Sequence, residues 1–138
     1  QRQIAEAGYQ LEQSLRAKPN FAEARIVYAH VLADMNRTAD AETQARLAVQ
    51  NDPASGDGHE LLGGLMAARG DLSGARGELT EALRLQPGNA RARIQLGMVL
   101  ANQGDRISAI PHLNAAAQSP DPNIRGAAQQ ALQALSRR

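Results

Sequence analysis

Residues 56–89 read GDGHELLGGLMAARGDLSGARGELTEALRLQPGN, a unit of 34 residues that contains Pro87 near its end. Pro53 and Pro19 precede Pro87 at the same interval. Small residues recur in this phase at Ala7/Ala41/Ala75/Ala109, Ala29/Gly63/Gly97 and Ala48/Ala82/Ala116. Larger residues do so at Tyr28/Leu62/Leu96, Leu32/Met66/Leu100 and Leu11/Ala45/Leu79/Leu113. A repeat of this length predicts stacked helical hairpins.

Apolar spacing and turn residues divide the chain into eight predicted helices. These lie near residues 3–17, 22–35, 38–51, 55–68, 72–85, 89–102, 106–118 and 123–136. Pro19 is expected to end the first helix, and Asn20 to cap the second. Asn36 is expected to break the second helix. In the Gly-Asp pairs at 70–71 and 104–105, the glycine is expected to allow left-handed geometry in the turn and the aspartate to cap the following helix.

Composition favours an all-α chain and excludes some functions. Alanine is abundant, and the three aromatic residues are Tyr9, Phe21 and Tyr28. The net charge is +1 and the cations are spread along the chain, so we expect no nucleic-acid binding. The absence of cysteine excludes disulfides and thiolate metal sites without indicating a compartment. No apolar run approaches the length of a membrane span, so we expect no membrane insertion.

Residues suited to catalysis or metal binding do not form recognisable motifs. The three histidines, His30, His59 and His112, fall on different predicted helices without the spacing of a helical metal site, so we interpret them as solvated or interfacial. Asp57 and Glu60 share a helical face that we expect to be solvated. We therefore predict no enzymatic activity, no cofactor and no metal.

The repeat resembles the tetratricopeptide repeat (TPR), in which small residues on both helices and a closing proline recur every 34 residues. The Ala-rich, Arg-rich composition is typical of a bacterial gene. The resemblance implies an α-solenoid of antiparallel hairpins with a right-handed superhelical stack. It divides a single domain, 1–138, into a half repeat at 1–21 and full repeats at 22–55, 56–89 and 90–123. The helix at 124–138 would cap the array with one apolar stripe and one polar face.

The chain departs from the TPR pattern at several positions. Arg25, His59 and Arg93 stand where the family often has an aromatic residue. Gly74 and Gly77 weaken one helix, and Pro111 should bend another. We expect a fold of modest stability.

The resemblance also implies a concave groove on the first helix of each hairpin, which in the family binds peptides or helices. The predicted groove residues are Glu23, Ile26, His30, Asp34, Asp57, Glu60, Arg91, Ile94, Met98 and Asn102. The apolar members of this set are informative because core packing does not require them there. Acidic residues on the early repeats predict a ligand with Lys or Arg, and they disfavour a free carboxylate tail.

Three functions remain open from the sequence. The first is a protein-interaction scaffold that binds a partner protein in the groove. The second is a structural or accessory segment of a larger enzyme or secretion assembly. The third is self-association through residues 1–17, where Ile4, Leu11 and Leu15 are expected to keep unburied apolar surface; the alternative is that an upstream domain buries this end. Because the chain begins with Gln1 in mid-repeat, we expect it to be either a fragment of a longer protein or a processed form.

Overall fold

The computed structural model describes residues 1–18 and 20–137, and this part of the chain forms eight α-helices and no strand. The helices are α1 (Arg2–Ala17), α2 (Ala22–Asp34), α3 (Thr38–Asn51), α4 (Gly56–Arg69), α5 (Leu72–Leu85), α6 (Ala90–Asn102), α7 (Arg106–Ala116) and α8 (Pro122–Ser136). The fold is an α-solenoid of antiparallel helix hairpins. The predicted helices are confirmed to within a few residues at each end. Pro19, predicted to end the first helix, lies outside the described residues. Leu15, expected to keep unburied apolar surface, is buried on α1, so the prediction is wrong for this residue.

The turns between paired helices use left-handed backbone geometry. Asn36 has φ 60°, Gly70 φ 92° and Gly104 φ 83°. Asp71 and Asp105 then cap α5 and α7, because their carboxylates accept hydrogen bonds from the backbone N–H of Gly74 and Ser108. This confirms the predicted role of the Gly-Asp pairs.

The cap predicted for α2 is wrong. Phe21, not Asn20, is the N-cap residue of this helix, and it makes no side-chain capping hydrogen bond. Ser55 and Asn89, in contrast, accept hydrogen bonds from Gly58 and Ala92 at the starts of α4 and α6. The first full hairpin therefore begins without a polar cap. The N–H groups in its first turn lack the side-chain acceptor that Ser55 and Asn89 supply at the same place in the later hairpins.

Small residues let the two helices of a hairpin approach closely. Gly63 on α4 lies against α5, and a Cβ placed there would be 2.7 Å from Leu79 Cγ. Gly97 on α6 repeats this arrangement, at 2.8 Å from Leu113 Cδ2. A side chain at either glycine would overlap its partner leucine, so this period of small residues is a requirement of helix crossing.

The helices form two layers. The first helices α2, α4, α6 and α8 contact one another in sequence, and α3, α5 and α7 each contact the first helix before and after them. Among the described residues, the second helices make no comparable contacts with each other. The layer of first helices is therefore the tighter one, and the stack curves towards it.

Proline is accommodated inside one helix. Pro111 lies within α7, which runs without interruption from Arg106 to Ala116. Proline lacks the N–H that would bond the preceding turn, so α7 lacks the helical hydrogen bond that another residue would donate at this position. Leu113 and Ala116 beyond the proline are still fully buried, so the proline does not disturb the buried face of the helix.

Candidate functional site

The inner layer of first helices carries the predicted groove residues, but not all of them are open to a partner. Seven are exposed: Glu23, His30, Asp34, Asp57, Arg91, Met98 and Asn102. Ile26 on α2 is half-buried. Glu60 and Ile94 are buried, and each is a correction to the sequence prediction.

Glu60 is an internal bridge and not part of a solvated acidic pair. Its residue surface is 8% exposed, and its Oε1 accepts a hydrogen bond of 2.7 Å from Gln95 Nε2 on α6. Arg91 Nε lies 3.9 Å from the same oxygen. The carboxylate thus joins α4 to α6, where a charged acceptor strengthens the hydrogen bond. The sequence prediction considered Asp57 and Glu60 on one helix alone and so missed Gln95.

Ile94 belongs to the core. It is 6% exposed and packs within the continuous cluster of buried apolar residues. Its helix, α6, is flanked by both α4 and α8 in the inner layer, so less of its surface is open than on α2, which has one such neighbour. The prediction that core packing does not require an apolar residue at this position is wrong for Ile94.

Met98 remains available and lines an apolar pocket. The Met98 residue is 45% exposed. The pocket holds about 180 Å³ between α6 and α8 and is lined by Met98, Ala101, Asn102, Ala131, Ala134 and Leu135. The contribution of α8 was missed from the sequence, because the 34-residue phase slips before this helix. Short alanine side chains at Ala131 and Ala134 leave the space that a longer residue would fill.

A second, wider depression of about 440 Å³ lies where the α5–α6 loop approaches the start of α4. It is lined by Asp57, Glu60, Gln86, Pro87, Gly88, Asn89 and Arg91. This surface is polar and carries both signs of charge. It continues the inner face towards the acidic residues of the early repeats, where Glu23, Asp34 and Asp57 are exposed.

The other two histidines, His59 and His112, are not exposed. His59 is buried between α4 and α5, with Nδ1 2.6 Å from Glu78 Oε2 and Nε2 2.9 Å from the carbonyl oxygen of Pro53. Burial, and after it the positive charge of Arg93, lowers the pKa of His112 below its usual value. In the described residues, no three His, Asp or Glu side chains are grouped so as to hold a metal ion.

Comparison with known proteins agrees with this architecture. No family model matches the chain. A TPR repeat-containing protein of Pseudomonas aeruginosa is 42% identical over 71 residues, which cover 51% of this chain and 28% of the relative. The chain therefore spans under a third of that relative. The bacterial relative supports a bacterial origin.

Two solved structures show the fold over most of the chain. The MamA crystal structure superposes with a TM-score of 0.82 at 21% identity and covers 96% of this chain and 79% of its own. YrrB, described as a TPR protein with an unusual peptide-binding site, gives a TM-score of 0.77 at 20% identity, covering 88% and 64% of the two chains. This chain is similar to TPR proteins in sequence and has the fold of a TPR array. Within the described residues, no helix is both long enough and apolar enough to cross a membrane.

Proposed function

We propose that the chain is a non-enzymatic scaffold whose inner face binds a segment of a partner protein. The observation that carries this proposal is the apolar pocket around Met98, which opens on the same layer as the exposed acidic residues. A large apolar side chain of a partner fits a pocket of this kind, because burial of such an anchor supplies most of the affinity of an interface. YrrB, which shares this fold, is described as having a peptide-binding site, and this supports a peptide-binding role for the present chain.

Charge on the inner face defines the rest of the ligand. Glu23, Asp34 and Asp57 are exposed on α2 and α4, whereas Arg91 is the exposed cation of the groove set on α6. A ligand with Lys or Arg over the early hairpins and an apolar residue near Met98 complements this surface. A free carboxylate lying over α2 and α4 would meet like charge. Such matching governs specificity and association rate more than affinity.

The test is a peptide array with free and amidated C-termini, read with the wild-type chain and four variants. Met98→Asp should abolish binding of the selected peptides, because it places a charge in the apolar pocket. Asp57→Lys should weaken peptides that carry Lys or Arg. Glu60 is not used as a charge variant, because its change would break the bond to Gln95.

Matched controls separate these effects from general charge changes. Ile107→Asp makes the same kind of change at an apolar residue that is 88% exposed on the outer helix α7. Glu6→Lys repeats the charge reversal on α1. Both controls should retain binding. A requirement for a free C-terminus, or equal binding by Met98→Asp and Ile107→Asp, would contradict the proposal.

An accessory role within a larger protein is the second candidate. The fact that favours it is the small share of the Pseudomonas relative, 28%, that the chain matches. A chain with this role alone would bind no peptide of the array above background, and all variants would behave alike.

A further inference from the structure

One face of α6 connects the two depressions of the inner layer. Arg91 lines the wider, polar depression of about 440 Å³, and Met98 lines the apolar pocket of about 180 Å³. Gln95 lies between them, since positions 91, 95 and 98 have the spacing of one helical face. At a rise of about 1.5 Å per residue, Arg91 and Met98 are roughly 10.5 Å apart along the helix axis. A partner that occupies both depressions must therefore span about this distance.

Gln95 holds an unused hydrogen-bond acceptor between the two depressions. Its Nε2 donates to Glu60 Oε1 at 2.7 Å, whereas its Oε1 is buried and has no hydrogen-bond partner in the described part of the chain. Exchange of the two amide atoms would turn the oxygen towards the carboxylate of Glu60, which has no hydrogen to donate. Glu60 therefore fixes the orientation of the amide, and the free energy lost at the unpaired oxygen is recovered only by a donor from elsewhere.

The surroundings of Gln95 leave space for such a donor. Gln95 as a residue is only half-buried on the inner layer. The nearest part of α4 is Gly64, where a Cβ would be 3.2 Å from Gln95 Oε1. Because Gly64 has no side chain, the amide can turn its oxygen towards the inner face while Nε2 stays near Glu60.

The polar depression is suited to a basic side chain. Its described lining includes the carboxylates of Asp57 and Glu60 and one guanidinium, that of Arg91. Arg91 Nε lies 3.9 Å from Glu60 Oε1, so the charge of Glu60 offsets that of Arg91. The exposed carboxylate of Asp57 is then left to attract a cation.

The distance and the free acceptor together favour an extended partner segment. In a polyproline II segment, residues three positions apart lie on one side at about 9.3 Å, and the main-chain N–H groups are free. In a β-strand, residues on one side are two or four positions apart, at about 6.6 or 13 Å. An α-helix matches the distance with residues seven positions apart, but its N–H groups bond within the helix and cannot reach Gln95.

We propose that the partner segment lies along α6 in a polyproline II conformation. A Lys or Arg side chain enters the polar depression, and an apolar side chain three positions away fills the pocket at Met98. A main-chain N–H between these two residues donates to Gln95 Oε1. This inference rests on the proposed binding role of the inner face, and it adds the spacing of the ligand and Gln95 as a binding residue.

The spacing is tested with short peptides of alanine and serine that contain one Arg and one Leu. The peptides are acetylated, amidated and fluorescently labelled, and anisotropy follows their binding to the complete chain. Arg and Leu stand two, three, four or seven positions apart, in both orders. A spacing of three, in one of the two orders, should bind about fivefold or more tightly than the others, because only it places both anchors. Equal binding at all spacings, or tightest binding at another spacing, would overturn the proposal.

The hydrogen bond to Gln95 is tested by methylating the main-chain nitrogens between Arg and Leu one at a time. One N-methyl group should weaken binding to the wild-type chain by about fivefold, since it removes the donor. With Gln95→Met the methylated and parent peptides should bind equally, whereas Gln50→Met, at an exposed glutamine of α3, should keep the difference. Gln95→Lys gives the same comparison in a chain where Glu60 still has a donor. A methylation effect that is absent from the wild type, or that persists in both Gln95 variants, would overturn the proposal.

Failure of this inference and failure of the proposed function give different results. Peptides that bind and are lost with Met98→Asp, but show neither a preferred spacing nor a dependence on Gln95, would overturn the inference alone. A complete absence of peptide binding, or binding that Met98→Asp leaves unchanged, would overturn the binding role of the inner face as well.

Discussion

His59 Nδ1 lies 2.6 Å from Glu78 Oε2 and joins the first and second helices of one hairpin. The same two columns of the repeat are paired in the hairpin before it, where Arg25 Nη1 donates to Gln44 Oε1 at 2.8 Å. In the hairpin after it the two positions are Arg93 and His112. A polar pair therefore occupies a place where TPR proteins often have an aromatic ring.

Removal of Glu78 should show how much the His59–Glu78 pair contributes to the free energy of unfolding. Glu78→Ala leaves the buried imidazole of His59 without its carboxylate, and we expect the free energy of unfolding to fall by about 1–3 kcal/mol. Ser73→Ala, on the exposed face of the same helix, should change it by no more than about 0.5 kcal/mol. Urea denaturation of both variants measures the difference. Coincident transitions would show that the pair contributes nothing to stability.

In the third hairpin neither Arg93 nor His112 is acidic, so a substitution that introduces a carboxylate there should raise stability. Arg93 places a positive charge near His112, and this charge adds to burial in lowering the pKa of His112. His112→Glu copies the residue found at Glu78 and gives Arg93 an acidic neighbour. We expect a gain of about 0.5 kcal/mol at neutral pH, because a half-exposed pair is screened by solvent. A variant that is less stable than the wild type would contradict this prediction.

The pH dependence of the same variant gives an independent check. Because the folded pKa of His112 is lowered, the unfolded chain takes up the proton first as the pH falls below about 6.5. The wild type should therefore lose stability between that pH and the lowered folded pKa. His112→Glu should show a smaller loss over this window, measured by urea denaturation at a series of pH values. Identical slopes for the two chains would argue against a role for His112.

Bulk at the helix crossings should be poorly tolerated. Gly63→Leu forces a side chain against Leu79, and Ala75→Leu adds bulk at a fully buried position. Each should lower the free energy of unfolding by about 1–3 kcal/mol. Arg84→Ala removes an exposed pair with Glu81 and should melt close to the wild type, because solvent screens such a pair. Thermal denaturation ranks the three. Equal melting temperatures would show that the close approach at these positions is not required.

The fold was predictable because its signals are local or periodic. Helix ends follow from residues such as Asn36 and Gly70, whose left-handed backbone is a property of one turn. The buried face of every second helix follows from columns that repeat at 34 residues. Such signals depend only on residue type and on spacing along the chain, and both can be read from the sequence.

The candidate site was less predictable because it depends on contacts between hairpins. Burial of Glu60 requires Gln95, which belongs to the next hairpin. The pocket at Met98 requires Ala131 and Ala134 on α8, where the period is broken. Ile94 is covered because α6 has a neighbour on each side. None of these relationships is contained in the helical face of a single segment.

Acidic pH should weaken the contact between α3 and α4, which joins the first two complete hairpins. Glu42 on α3 accepts hydrogen bonds of 2.9 and 3.1 Å from Nε and Nη2 of Arg69 on α4, and one of 2.8 Å from Arg46. These bonds, chiefly those from Arg69, hold the pKa of Glu42 below its usual range. The stability that they contribute is complete above the unfolded pKa of about 4.3 and is lost as the pH falls through the lower folded value.

Glu42→Gln removes this contribution at every pH and should lower the free energy of unfolding by about 1 kcal/mol or less at pH 7, since Arg69 is exposed. The difference between the variant and the wild type should shrink as the pH is lowered through the depressed pKa, because protonation neutralises the wild-type carboxyl as well. Glu12→Gln, which breaks an exposed pair with Arg16 within α1, serves as the control and should show little difference at any pH. Urea denaturation at pH values on both sides of the unfolded pKa measures these differences. A gap between Glu42→Gln and the wild type that persists unchanged into acid would mean that the ionised carboxylate of Glu42 is not what joins the two hairpins.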